Sequence, residues 1–205
     1  MIQLELNGCN ISILPVIKGL CSEYDRVKSQ INDSYDCIAV ALSIEDIEMF
    51  TAMDPSDVEY DPSEFDAVYA HFLKQFGEVD VPVPAFKAVV DACNEIGIKP
   101  IPLEMCDEEF TDAYCEYVKV WDMLKERRLL KKSMKKGFDM TSPETFLKGW
   151  DAMAMSIKGQ YTLTLKREEH ATKELADLTR YKKSILAIIE YERVDGILQR
   201  LEART

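Results

Sequence analysis

Hydrophobic positions along the chain fall into short apolar runs separated by stretches of helical periodicity. Ile11 to Val16 is a short run rich in β-branched residues and reads as a strand. After Gly19, the apolar positions Leu20, Tyr24, Val27 and Ile31 recur at helical spacing. Cys37 to Leu42 (CIAVAL) is a continuous apolar run of strand length, as expected of a central strand covered on both faces. Ser43 then caps a helix, with Asp46 three residues on.

The same logic continues downstream. Asp61-Pro62 opens a helix that runs through EFDAVYAHFLKQF and stops at Gly77. Pro84 starts another, with Phe86, Val89, Val90 and Cys93 on one face and Gly97 after its end. Ile98 to Leu103 carries two prolines, which suits an edge strand. From Asp107, read as an N-cap, one long amphipathic helix is expected to reach Gly137; a further helix begins at Pro143. LKREEHATKELADL predicts a helix, Ser184 to Ile189 a buried strand, and VDGILQRLEA a closing helix.

Strands alternating with helices at these separations predict an α/β fold: a mostly parallel sheet flanked by helices, with an all-helical insertion before the last strand. The expected organisation is a single domain, with core residues 1–106, a helical insertion at 107–160 and a closing helix–strand–helix at 161–205.

Composition adds mainly a charge layout. No apolar run approaches the roughly 18 residues of a membrane span, and the first residues lack a signal-peptide pattern, so a cytoplasmic protein is expected. Its six cysteines then read as reduced thiols, with Cys37 and Cys93 acting as small hydrophobes. The net charge of −12 conceals a dipole: residues 1–122 hold 7 basic and 25 acidic residues, net −18, while residues 123–205 hold 18 and 12, net +6. Residues 45–66 hold nine acidic residues and no basic one. An acidic amino-terminal part repels phosphate backbones, which disfavours nucleic acid as a partner.

The basic run Lys125, Arg127, Arg128, Lys131, Lys132, Lys135 and Lys136 has leucines interleaved. It reads either as a solvated helix end or as a surface for a protein partner or a second copy, and self-association through it would be salt-sensitive.

Chemistry-bearing motifs are sparse. There is no glycine-rich phosphate loop and no G-x-S-x-G elbow, so no nucleotide cofactor is expected. His71 lies on an otherwise apolar helix and reads as a packed or surface imidazole. Glu169, His170 and Glu174 crowd another helix, but a metal site there would need a further ligand; neither a metal nor any other cofactor is expected.

The element order, together with the segment LKREEHATKELADLTRYKKSILAIIEYERVDGILQRL, resembles the TraB/PrgY/GumN family, related to the Tiki and erythromycin-esterase/ChaN-like group. Arg167 and Glu168 match the family's Arg-Asp pair, and Val194, Gly196 and Ile197 match its turn. Arg193 stands at the position of the motif histidine and Glu190 at its glycine, Ala41 replaces a strand-end glutamate, and Pro15 to Lys18 replaces a second Gly-x-x-His. Ala85 stands where a glutamate is expected, and Asp107 or Glu104 stands for an aspartate.

Arginine and alanine neither ligate metals nor titrate near neutrality, so the resemblance implies a member that has lost its chemistry. The leading expectation is a catalytically inactive TraB-like binding or assembly module. A hydrolase with a rearranged site around Arg167, Glu168, His170 and Arg193 is the alternative. A third reading is an anion-binding protein in which Arg167 and Arg193 hold a carboxylate or phosphate at the strand ends.

Overall fold

A computed structural model describes residues 1–52, 62–80 and 83–204. The fold is α/β. A five-stranded sheet forms from β1 (Ile2–Leu6), β2 (Cys9–Val16), β3 (Cys37–Val40), β4 (Ile101–Pro102) and β5 (Ser184–Glu190), in the order β1-β2-β5-β3-β4. All neighbours pair in parallel except β1 and β2.

β1 went unread in the sequence. Its alternation of half-buried and exposed positions, Ile2 to Leu6, is that of an edge strand. Asn7 (φ 54°) and Gly8 (φ 75°) turn it into β2, the two-residue Asn-Gly connection that matches strand twist. The centre of the sheet is β5 rather than the Cys37–Leu42 run. β3 ends at Val40 and lies between β5 and the short edge strand β4.

Both sheet faces are covered. α1 (Ser22–Lys28), α2 (Ile44–Ala52) and α4 (Pro84–Glu95) pack with Leu14, Val16, Ile38, Val40, Leu186 and Ile188 on one face. α8 (Lys158–Leu178) and α9 (Tyr191–Glu202) cover Ile11, Ile13, Ala39, Ile185, Ala187 and Ile189 on the other. This two-sided burial explains why β3 and the centre of β5 read as continuous apolar runs and why β2 is mostly apolar.

The predicted caps divide. Ser43 and Asp46 cap α2 reciprocally, Asp46 N–H donating to Ser43 Oγ at 3.0 Å and Ser43 N–H to Asp46 Oδ2 at 3.2 Å. α3 (Glu64–Leu73) is capped by Ser63; the expected opening residue Asp61 lies outside the described residues. Much of the acidic stretch 45–66 does too. Asp107 is the first residue of its helix, and Cys106 takes the N-cap position.

The long helix expected from Asp107 to Gly137 is two: α5 (Asp107–Tyr117) and α6 (Val120–Lys136). Val118 and Lys119 are extended, Val118 is buried, and the Asp122 carboxylate accepts from Lys119 N–H at 3.0 Å, capping α6. A β-branched anchor followed by a first-turn aspartate favours this break over a continuous helix. Gly159 allows α8 to start against the break: a Cβ there would lie 2.8 Å from the Tyr117 carbonyl oxygen.

α7 (Pro143–Met155) starts after Ser142, whose hydroxyl accepts from Thr145 N–H at 3.2 Å. With α3 and α6 it forms a third apolar cluster that includes Phe72, Leu73, Leu130, Phe146, Leu147 and Trp150. Ile17 and Leu20, just beyond β2, join it, so this cluster caps the carboxyl ends of the strands.

Candidate functional site

The carboxyl ends of the strands gather most of the buried charge. Glu104 follows β4, where its N–H donates to the Leu42 carbonyl at 3.2 Å and extends the β3–β4 ladder. Glu190 ends β5 and takes the N-cap position of α9, whose first turn carries Arg193. Arg167 reaches in from the middle of α8. Glu104 Oε2 accepts from Arg167 Nε at 2.9 Å, Arg167 Nη2 at 2.6 Å and Arg193 Nη1 at 2.7 Å. Arg193 Nη1 also lies 3.4 Å from Glu190 Oε2, and Arg167 Nη2 3.8 Å from Glu190 Oε1.

Beside this knot Glu168 Oε2 accepts from Arg200 Nη1 at 2.6 Å. Its carboxyl group rests against Gly196, where any Cβ would overlap it. Three arginines and three glutamates thus balance, as buried charges must. Although burial pushes the Glu104 carboxyl up, Arg193 and Arg167 hold it down at about 2. Burial pulls the Arg193 guanidinium down, but Glu190 and Glu104 more than offset it, and its pKa rises. Glu168 is raised by burial, with Arg200 and Arg193 pulling against it.

Arg193 is only 3% exposed, yet its Nε and Nη2 find no hydrogen-bond partner. It lines a cleft of about 1030 Å³ that runs from these strand ends under α3 and α7. Among the described residues the lining carries four Lys or Arg and six Asp or Glu, so the cleft is net acidic. Apolar and aromatic side chains including Phe65, Tyr69, Phe110 and Trp150 complete its walls.

Two of its carboxylates are poorly compensated. Glu192, beside Arg193 on α9, has Lys18 Nζ at 3.8 Å from Oε1, while Oε2 is buried without a partner. Asp151 on α7 forms no hydrogen bond or ion pair with any described residue. Burial, then the charges of Glu192 and Glu168, pushes the Asp151 carboxyl up to about 6. Glu192 is raised by burial, and Lys18 pulls against that shift. Tyr69, whose hydroxyl donates to the Lys18 carbonyl at 3.3 Å, is raised by burial and by Glu192 and Glu190.

Of the residues singled out in the sequence, Arg167 and Arg193 meet on Glu104 and both line the cleft. Glu168 joins the network but does not line the cleft, and neither does His170. Among the described residues no three His, Cys, Asp or Glu side chains gather closely enough to hold a metal ion. Lys18 lines the cleft as well, whereas Ala41 is buried just past β3, its N–H donating to the Ile188 carbonyl at 2.9 Å. His71 lines the outer cleft from α3, exposed, with its ring 5.2 Å from Phe72. Cys37 and Cys93 are buried thiols pushed by burial to about 11, as small hydrophobes would be.

Asp151 and Glu192 were missed in the sequence. The available signal was a carboxylate beside the apolar stripe Phe146, Leu147 and Trp150, and a Glu-x-Glu-Arg sequence ending an apolar strand. No protein-family model, no curated protein and no solved structure matches the chain.

Proposed function

We propose that the chain is a cytoplasmic, TraB-like binding module without the family's chemistry, whose cleft holds a small anionic ligand on Arg193. The supporting observation is the unpartnered Nε and Nη2 of a side chain 97% buried in the cleft wall. Those two atoms form one edge of the guanidinium, the edge that takes a carboxylate or phosphate side-on through two parallel N–H···O bonds. Leaving a buried donor unpaired costs about 1–3 kcal/mol, which a bound anion would recover. The cleft also opens at the carboxyl ends of parallel strands, where open α/β sheets place ligands.

Thermal unfolding with acetate, succinate and phosphate tests this reading. A ligand at ten times its Kd should stabilise by about 1.4 kcal/mol. Arg193→Lys, which keeps a charge but loses the side-on edge, should abolish the shift. An unchanged melting temperature with every anion at 10 mM would overturn it.

The assembly half of the reading rests on α6. Val120 and Trp121 are 67% and 77% exposed at its start, and Arg128, Lys131, Lys132, Lys135 and Lys136 follow on the exposed surface. Lys125 and Arg127 are partly engaged within the chain, by the Ser156 carbonyl and Glu64. An exposed tryptophan beside a row of cations suits a second copy presenting its acidic amino-terminal part.

A further inference from the structure

The cleft leaves charges of both signs uncompensated. On one side stands the free edge of Arg193, needing an acceptor. On the other stand Asp151, with no partner among the described residues, and Glu192 Oε2, buried and unbonded. Direct pairing between them would satisfy all three, and the fold does not make it: Arg193 instead spends its Nη1 on Glu104 and Glu190. All three line the one cleft, which is walled partly by Tyr69 and Trp150, whose rings lie 5.3 Å apart. An ammonium group is drawn both to carboxylates and to aromatic faces. A simple anion would satisfy Arg193 while adding to an acidic excess, and a simple amine would leave the guanidinium edge empty.

We propose that the ligand is a zwitterion, its carboxylate on the Nε/Nη2 edge of Arg193, its ammonium between Asp151 and Glu192, and an apolar body along Tyr69 and Trp150. This rests on the anion-binding reading of Arg193 and adds the second half of the ligand.

The test uses matched series of different lengths: 4-aminobutyrate, 6-aminohexanoate and 8-aminooctanoate, each against the carboxylate and the amine of the same chain. Binding is followed by thermal shift and calorimetry at pH 7.5. At least one amino acid should bind tenfold more tightly than its carboxylate, and Asp151→Asn should remove that tenfold advantage. Lowering the pH below 6, where Asp151 takes up its proton, should remove it in the unaltered protein as well, so the test stands even if the variant fails to fold.

If the carboxylates bind but no amino acid of any length exceeds its carboxylate, the zwitterion is wrong and the Arg193 reading stands. If neither class binds, both fall. If amines bind as tightly as amino acids, the Arg193 edge contributes nothing and the zwitterion is again overturned.

Discussion

Two groups of carboxylates lie side by side at the strand ends, and the fold treats them in opposite ways. Glu104, Glu190 and Glu168 face Arg167, Arg193 and Arg200, and the Glu104 carboxyl is held at about 2. Two residues beyond Glu190, Glu192 begins the other group with Asp151, and burial with mutual repulsion pushes Asp151 to about 6. Residue type is shared, so the difference comes from the partner. Two guanidinium groups within 3 Å more than offset the burial of Glu104, whereas the single Arg200 leaves Glu168 raised and a lysine at 3.8 Å leaves Glu192 raised. The first group therefore reads as a brace tying α8 and α9 to β4 and β5, and the second as a site whose charge is left for something else to meet.

The largest expected effect comes from breaking the brace. Glu104→Ala removes the acceptor shared by Arg167 and Arg193 and leaves two cations short of a partner, one of them 3% exposed. Loss of one member of a buried pair costs about 3–5 kcal/mol, a large fraction of a typical total stability. The effect carries a pH signature. Since the folded carboxyl sits at about 2 against an ordinary 4.5, its contribution is full above 4.5 and is lost as the pH falls toward 2. Urea unfolding from pH 7 to pH 2 should show a steep acid limb in the unaltered protein and a flatter one in the variant. A loss below 1 kcal/mol at pH 7 would mean that the brace is dispensable.

How much of this contrast was legible beforehand depends on the range over which each part is encoded. The apolar runs of β2, β3 and β5 and the periodic stretches of the helices are local, and they predicted the parallel sheet and the helical insertion. β1 was overlooked although Asn7-Gly8 announced its hairpin, and the α5–α6 break was hidden because Val118 also fits a helical pattern. Arg167 and Arg193 were expected together at the strand ends, and they do meet. Their meeting point, Glu104, lies 63 residues before Arg167; the family resemblance offered it only as one of two stand-ins for an aspartate, and no local pattern marks it as the partner of the arginines. Asp151 and Glu192 are brought to one cleft only by the packing of α7 against α9. His170, conspicuous as a histidine among acids, lies on α8 outside the cleft, because a residue type that invites chemistry says nothing of where its side chain will face.

The second group should respond in the opposite direction. Asp151 has a folded pKa raised to about 6 from an ordinary 3.8, so it destabilises the fold increasingly as the pH rises from 3.8 to 6 and fully above that. Asp151→Asn removes the charge at nearly constant shape and should make the protein more stable at pH 7. A shift of two units corresponds to about 3 kcal/mol, but the group is partly open to solvent, so about 1 kcal/mol is expected. Below pH 4 both forms are neutral and the gain should vanish. Chemical denaturation at pH 7 and pH 3.5 checks both halves; a destabilised variant at pH 7 would show that Asp151 has a partner and that the contrast is false.

The smallest effect provides the calibration. Arg127 on α6 and Glu64 on α3 form an ion pair of 3.4 Å with side chains 65% and 52% exposed. In distance it resembles the contact of Arg193 with Glu190, and in surroundings it is the reverse. Exposed pairs gain little because water screens both charges and two long side chains must be ordered. Arg127→Glu should therefore change stability by less than about 0.5 kcal/mol, even though it replaces attraction with repulsion. A cost approaching that of Glu104→Ala would mean that ion pairs in this protein act through long-range field rather than burial. The −18 charge of its amino-terminal part would then account for the strength of the strand-end network better than the closed surroundings of Arg193 do.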